Sequence, residues 1–356
     1  MKKQKGLSLI ELMIAITLGL ILITGVLQVF ISSKTVYTTQ QALSRIQETG
    51  RLAIDFLARD IRMAGYMGCA TRSSEMKVSN MLNNSSSYKY DFNTAIMGYT
   101  AGTLPVGHGL VPAPKVNTDL FVLRGAYGSG VSVTKNNMSG TLFANNTGIE
   151  DGACSDGGDR VSGICEGDIL VVTDCTKARV FQVVNLQTVQ GSTEMNVVHS
   201  GNNSYSPGNA NASWGGNSGS DDEKFKPGSE ILSATNVTYF IADGTSGRPS
   251  LWQNINGVNL ELLEGVEDMS VRYGVDSNED YVPDNYRLAG EIINVADWEK
   301  VVALRVELLV ASIDDGVLPE MQKYSFEGVD NIEPDPADRR LRQVFSTTIG
   351  IRSRSF

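Results

Sequence analysis

The hydrophobic pattern along the chain changes character twice. Residues 1–6 (MKKQKG) are polar and basic, and a charge-free apolar run of 20 residues, Leu12–Ile31, follows closely. A helix of that length matches a bilayer hydrocarbon core of about 30 Å. From Val36 onward the pattern is amphipathic: Leu43, Ile46, Gly50, Ala53, Ile54, Leu57, Ile61 and Ala64 recur at gaps mostly of three and four. Gln40, Arg45, Glu48, Arg51, Arg59 and Arg62 fill the other faces. This periodicity predicts that one helix continues past the membrane with a single buried stripe. Gly65-Tyr66-Met67-Gly68 supplies the stop. From Leu7 to Ala64 the helix counts 58 residues, about 87 Å at the α-helical rise. No proline precedes Pro105, and Gly50 reads as either a close-packing position or a mild weak point.

Beyond residue 68 the period shortens to that of strands. Extended runs are expected at 119–124, 131–134, 168–173, 178–186 and 195–199, and then at 230–241, 251–255, 258–263, 269–273, 301–311 and 344–351. Val302–Leu308 alternates as a half-buried strand does. Long loops are expected at about 79–117, 136–167 and 201–228, where Gly, Asn, Ser and Asp dominate. The glycine-rich Gly125–Gly130 precedes a strand, so it reads as a hairpin turn and not as a phosphate loop, which must open a helix. Together these runs predict an α+β fold, with an antiparallel sheet packed on the second half of the helix.

Composition and charge narrow the function. The 356 residues carry 30 basic and 40 acidic side chains, a net charge of −10, and 36 glycines. Losing residues 1–6 removes Lys2, Lys3 and Lys5 and takes that charge from −10 to −13. So acidic a body argues against nucleic acid as a direct ligand. The basic flank predicts a cytoplasmic N-terminus and a single pass. The apolar run is too long for an ordinary signal peptide, and no A-x-A-like site follows it. Four cysteines in a chain that leaves the cytoplasm read as two disulfides. Three connectivities are open, and the reading adopted is Cys154–Cys165 with Cys69–Cys175. His108 and His199 are the only histidines, and no G-x-S-x-G or H-E-x-x-H string is present, so no catalytic reading is made. Asp276, Asn278, Asp280 and Asp284 could supply oxygens to calcium, but the EF-hand glycine and terminal Glu are missing. The expectation is a solvated acidic turn with no cofactor, calcium being the alternative.

Glu11 is the anomaly of the apolar segment. An unpaired carboxylate at membrane depth costs about 2.5–3.5 kcal/mol and marks a functional candidate. Cutting between Gly6 and Leu7 would create an α-amino group, with Glu11 then the fifth residue and able to pair with a neighbouring subunit's amine. The string Lys3-Gln4-Lys5-Gly6-Leu7-Ser8-Leu9-Ile10-Glu11 resembles the class III signal of type IV pilins and type II secretion pseudopilins. That resemblance implies cleavage by a prepilin peptidase after Gly6, N-methylation of Leu7 in place of the usual Phe, and an assembly role for Glu11.

Segments of the body resemble the PilW-type minor pilins. These are Asp60–Cys69, Gly167–Cys175, Gly265–Gly274 and Phe345–Arg354. The implied organisation is a leader at 1–6, a membrane and filament-core segment at 7–31, an amphipathic continuation at 32–66, and a β-rich body at 67–356. The implied function is that of a minor pilin, stored in the inner membrane with a periplasmic body. It joins a priming complex that starts type IV pilus growth, sits at or near the tip, and supports motility and adhesion. Implied partners are other minor pilins, the major pilin, the peptidase/methyltransferase, the inner-membrane assembly platform and a tip adhesin. The absence of helix prolines favours a minor component. Tip pseudopilins of the K type lack the glutamate, so Glu11 suggests a subunit that can sit beneath another. Two alternatives remain: a J-like pseudopilin of type II secretion, and an anchored binding protein that never polymerises.

Overall fold

The structure, a computed structural model, describes residues 8–68, 76–150, 154, 157–188, 191–201, 204–210 and 214–354. One helix, α1 (Leu9–Met63), dominates the N-terminal part over 55 residues, about 82 Å at the α-helical rise. Ser8 caps it, and Ala64 with the positive-φ Gly65 ends it. Ile46, Gly50, Ala53, Leu57, Ala58 and Ile61, all in its second half, are buried. The apolar side chains between Leu9 and Ile31 are exposed on the isolated chain.

The strands after α1 are β1 (Lys77–Asn80), β2 (Ile96–Thr100), β3 (Asp119–Met138), β4 (Thr141–Asn145), β5 (Ile149–Glu150), β6 (Arg160–Val161) and β7 (Ile169–Thr173). Next come β8 (Lys177–Gln182), β9 (Asn185–Thr188), β10 (Glu194–Val198), β11 (Glu230–Asp243), β12 (Pro249–Ile255) and β13 (Val258–Glu264). The chain continues through β14 (Val266–Val275), β15 (Asn285–Arg287), the one-turn α2 (Val295–Trp298), β16 (Val301–Ala311), β17 (Tyr324–Phe326), β18 (Val329–Ile332) and β19 (Arg342–Gly350).

Strands β3 and β11 form an antiparallel spine, paired from Phe121↔Tyr239 to Ser132↔Glu230. Each exchanges its outer partner midway. β3 leaves β2 for β4, and β11 takes β7 on its first half and β12 on its second. The near end of this sheet is therefore β13-β12-β11-β3-β2, and the far end runs β1-β8-β7-β11-β3-β4-β10-β9. Only the β1–β8 ladder among these is parallel. A second antiparallel sheet, β15-β14-β16-β19, faces the near end. Ile46, Leu57 and Ile61 of α1 share one core with Phe121 and Tyr239 of the first sheet and Val271, Leu304 and Ile349 of the second. Burying this stripe, at about 1.5–3 kcal/mol per large apolar side chain, holds the helix to the body.

Polar clasps fix the same contact. The Tyr239 hydroxyl donates to Asp60 Oδ2 at 2.7 Å, and Gln253 Nε2 donates to the same oxygen at 2.9 Å. Ser353 Oγ, near the C-terminus, donates to the Ala64 carbonyl at 2.6 Å. Arg342 at the start of β19 donates to Glu267 at 2.7 and 3.1 Å and to Asp338 at 2.6 and 2.8 Å. The Arg342 contact holds the Asp338 carboxyl below its ordinary range. Gly50 is a close-packing position: a Cβ built there would overlap the Phe345 ring.

Three expectations need correction. Gly125–Gly130 is not a hairpin turn, because β3 runs straight through it. Gly125 to Gly128 pair with Thr235 to Leu232, and the register shift beyond Leu232 leaves Ser129 and Gly130 as a bulge. Gly125 also lets the helix end approach, since a Cβ there would lie 3.3 Å from the Met63 and Tyr66 carbonyls. The stretches expected as loops at about 79–117 and 136–167 contain β2 and β4, which complete the two flanks of β3. The run at 178–186 splits into β8 and β9, which join different partners. The described residues of the 201–228 stretch have little regular structure, yet they deliver Trp214 and Phe225, both fully buried, to the far-end core.

Asp268 on β14 gives the body a titratable weak point. Burial pushes its carboxyl from 3.8 up to about 7; the Met269 N–H and Lys115 oppose this, while Glu327 and Asp119 add to it. Between those two values the folded chain holds a proton that the unfolded chain has lost, so stability falls as pH rises through the window. Discounting the shift for partial exposure, melting from pH 5 to pH 8 is expected to cost the wild type about 2 kcal/mol. Asp268→Asn should flatten that slope; an unchanged slope in the variant would assign it to another group.

Candidate assembly interface

Leu9–Ile31 of α1 presents exposed apolar side chains on every face, and the segment is long and apolar enough to cross a membrane. It has one charged side chain, Glu11. The local sequence Ser8-Leu9-Ile10-Glu11 forms a capping box. The Ser8 Oγ accepts from the Glu11 N–H at 3.3 Å, and Glu11 Oε2 accepts from the Ser8 N–H at 2.9 Å and its hydroxyl at 3.0 Å. The carboxylate thus satisfies an orphan donor at the helix start, where negative charge is favoured. All three bonds leave Oε1 without a partner among the described residues, so the group can still accept from a second donor. Gly6 and Leu7 lie outside the described residues. The role of Ser8 went unread in the sequence, although Ser followed three residues later by Glu is the signature of such a cap.

The other candidates fall elsewhere. Cys154 and Cys165 are joined by a disulfide in the far end, with Cα atoms 5.7 Å apart. Cys175 is disulfide-bonded; Cys69, its expected partner, lies outside the described residues. The acidic loop after β14 is closed on itself. Asp276 accepts from the N–H groups of Asn278, Glu279, Asp280 and Tyr281, and Asp284 accepts from that of Ser277. Asp280 Oδ1 accepts from the Val282 N–H, and its Oδ2 from the Asn278 amide. These oxygens are engaged by the loop's own donors, and no group of His, Cys, Asp or Glu among the described residues is arranged to hold a metal ion. His199 is fully buried with its ring stacked 3.8 Å from that of Trp214. His108 accepts from the Leu110 N–H through Nδ1 at 3.0 Å.

Between α1 and the 311–317 segment lies a cleft of about 420 Å³, lined from Ile31 to Thr49 on the helix side. Thr39 Oγ1 donates to the Val317 carbonyl at 3.2 Å and pins the segment to the helix.

Residues 1–27 match the prokaryotic N-terminal methylation motif, and residues 238–353 match Type IV Pilus-assembly protein W. The second match covers the later half of β11 through β19, including the sheet β15-β14-β16-β19 that packs on α1; the far end lies outside it. No curated protein and no solved structure matches the chain. Both matched families are pilus components and not enzymes, and the bilayer-length helix with its prepilin motif fits membrane anchoring. The methylation motif at the start of the chain and the PilW match over its last third support a type IV minor pilin of the PilW type.

Proposed function

We propose that the chain is stored in the inner membrane and joins other minor pilins in a complex that primes type IV pilus growth, ending at or near the tip. The observation that carries this is the pairing of an exposed, bilayer-length apolar helix with Glu11, its single charge. Prepilin peptidase would remove residues 1–6, the Leu7 amine would be methylated, and the body would sit in the periplasm. In a filament, the apolar surface of α1 exchanges lipid for neighbouring helices, and Glu11 gains the α-amine of a neighbouring subunit, held away from water. That asymmetry favours assembly over storage without any catalytic step in this chain. Motility and adhesion follow from the pilus it helps to start.

A clean deletion in the native host tests this reading, with surface pili and secreted proteins scored together. Sparse or absent pili with a normal secretome is the expected result. Normal pili with exoproteins held in the periplasm would move the chain to a type II secretion machine, and no change in either would leave it a non-polymerising anchor.

A further inference from the structure

The cleft between α1 and the 311–317 segment lies where the chain leaves the bilayer. The uncharged run ends at Ile31, the first residue of the cleft's helix wall. Lys34 follows about 4.5 Å further on by helical rise, within a headgroup layer roughly 5–7 Å deep on each side. The opposite wall belongs to the excursion between β16 and β19. The top of the body is marked by Ser353 bonded to Ala64, so this excursion, at the other end of the same strands, faces the membrane.

The two walls carry opposite charge. Lys34 and Arg45 stand on the helix side, with Asp314, Asp315 and Glu264 across from them. Among the described residues no ion pair crosses the cleft. Glu264 is held by Arg248, and Asp315 caps the N–H groups of Gly316 and Arg339. This leaves the Lys34 ammonium, the Arg45 guanidinium and the Asp314 carboxylate without charge partners among the described residues. Asp314 and Asp315 belong to the 312–341 excursion, which carries eight acidic and three basic side chains, a local field that disfavours an anionic headgroup.

We propose that this cleft holds the headgroup of phosphatidylethanolamine, with the phosphate against Lys34 and the ammonium against Asp314. The inference rests on the reading of α1 as membrane-spanning. A zwitterion matches both walls, whereas phosphatidylglycerol meets the acidic one. Phosphatidylcholine has the charges but no N–H to donate to a carboxylate. Occupancy would fix how deep the body rides on the membrane before the subunit is extracted.

The test is the full chain in nanodiscs containing equal parts of phosphatidylethanolamine, phosphatidylcholine and phosphatidylglycerol. A benzophenone amino acid at Thr38, which lines the cleft, reports its neighbours by mass spectrometry after illumination. Ethanolamine-lipid adducts are expected about fivefold over the other two, the scale of one partly exposed charge pair. Lys34→Gln with Asp314→Asn, both at exposed positions, should return adducts to the lipid mole fractions without lowering the melting temperature. Adducts at mole fraction in the unsubstituted chain, enrichment of the glycerol lipid, or crosslinks only to a second protein copy would each overturn the proposal. Pilus counts in the deletion strain are independent of these outcomes, so the headgroup site can fail while the pilin reading stands.

Discussion

Glu11→Ala, expressed from the native locus, is expected to leave membrane insertion and the folded body unchanged and to reduce pili to the level of the deletion strain. The substitution removes a carboxylate from a segment whose other side chains from Leu9 to Ile31 are uncharged. An unpaired charge there costs about 2.5–3.5 kcal/mol, so the variant resides in lipid more comfortably than the parent. In the filament the effect reverses, because a neighbour's amine would be left buried without its counter-charge, at about 3–5 kcal/mol. Both effects shift the balance away from assembly, on the order of a hundredfold or more in incorporation. Glu11→Gln separates charge from hydrogen bonding: the amide can still accept at the helix start but cannot neutralise an amine, so its pilus count should stay close to that of the alanine variant. Counting pili by electron microscopy, with the subunit quantified in membranes and sheared fibres, gives the result. Wild-type pilus numbers in Glu11→Ala would remove the carboxylate from the assembly mechanism.

The helix and most strands were legible because their burial is periodic. Ile46, Gly50, Ala53, Leu57, Ile61 and Ala64 were expected on one stripe and are buried, while Ile54, expected with them, is half-buried. Val36 and Leu43, read as the start of that stripe, are exposed: at this level the body touches the helix through Thr39 and the cleft wall, and neither residue is on that wall. The errors share a cause. Glycine and polar residues were taken as local stop signals, whereas long-range pairing decides whether a strand continues. Gly125–Gly130 stays extended because β11 pairs along it and a bulge absorbs the surplus residues. β2 and β4 are five-residue strands set among polar residues, and their apolar positions make sense only against the two faces of β3. At the candidate interface, Glu11 was visible as a charge out of place. The cleft was not, since Lys34 and Asp314 line one cleft only through the fold.

Gly50→Leu is expected to destabilise the full chain in detergent by about 3 kcal/mol, the upper end for overpacking a core. For a body this large, that corresponds to roughly 6–12 °C in melting temperature. Glycine in a helix interior gives up about 1 kcal/mol relative to alanine, so its presence in the buried stripe calls for a steric reason. The Phe345 ring is that reason, since it occupies the space a Cβ at residue 50 would need. Phe345 sits on β19 opposite Leu308 of β16, so displacing it disturbs the sheet face on which α1 rests. Alanine at this position sets a helix gain against a clash with a half-buried ring that can partly swing aside, so Gly50→Ala should change stability little. Leucine has no such escape. Phe345→Ala in the Gly50→Leu background should recover part of the loss by opening the space the new side chain needs, a coupling that only residues in contact display. If the double variant melts at the sum of the two single losses, Gly50 and Phe345 are not packed as described, and the helix is held to the sheet by the Asp60–Tyr239 and Ser353–Ala64 clasps instead.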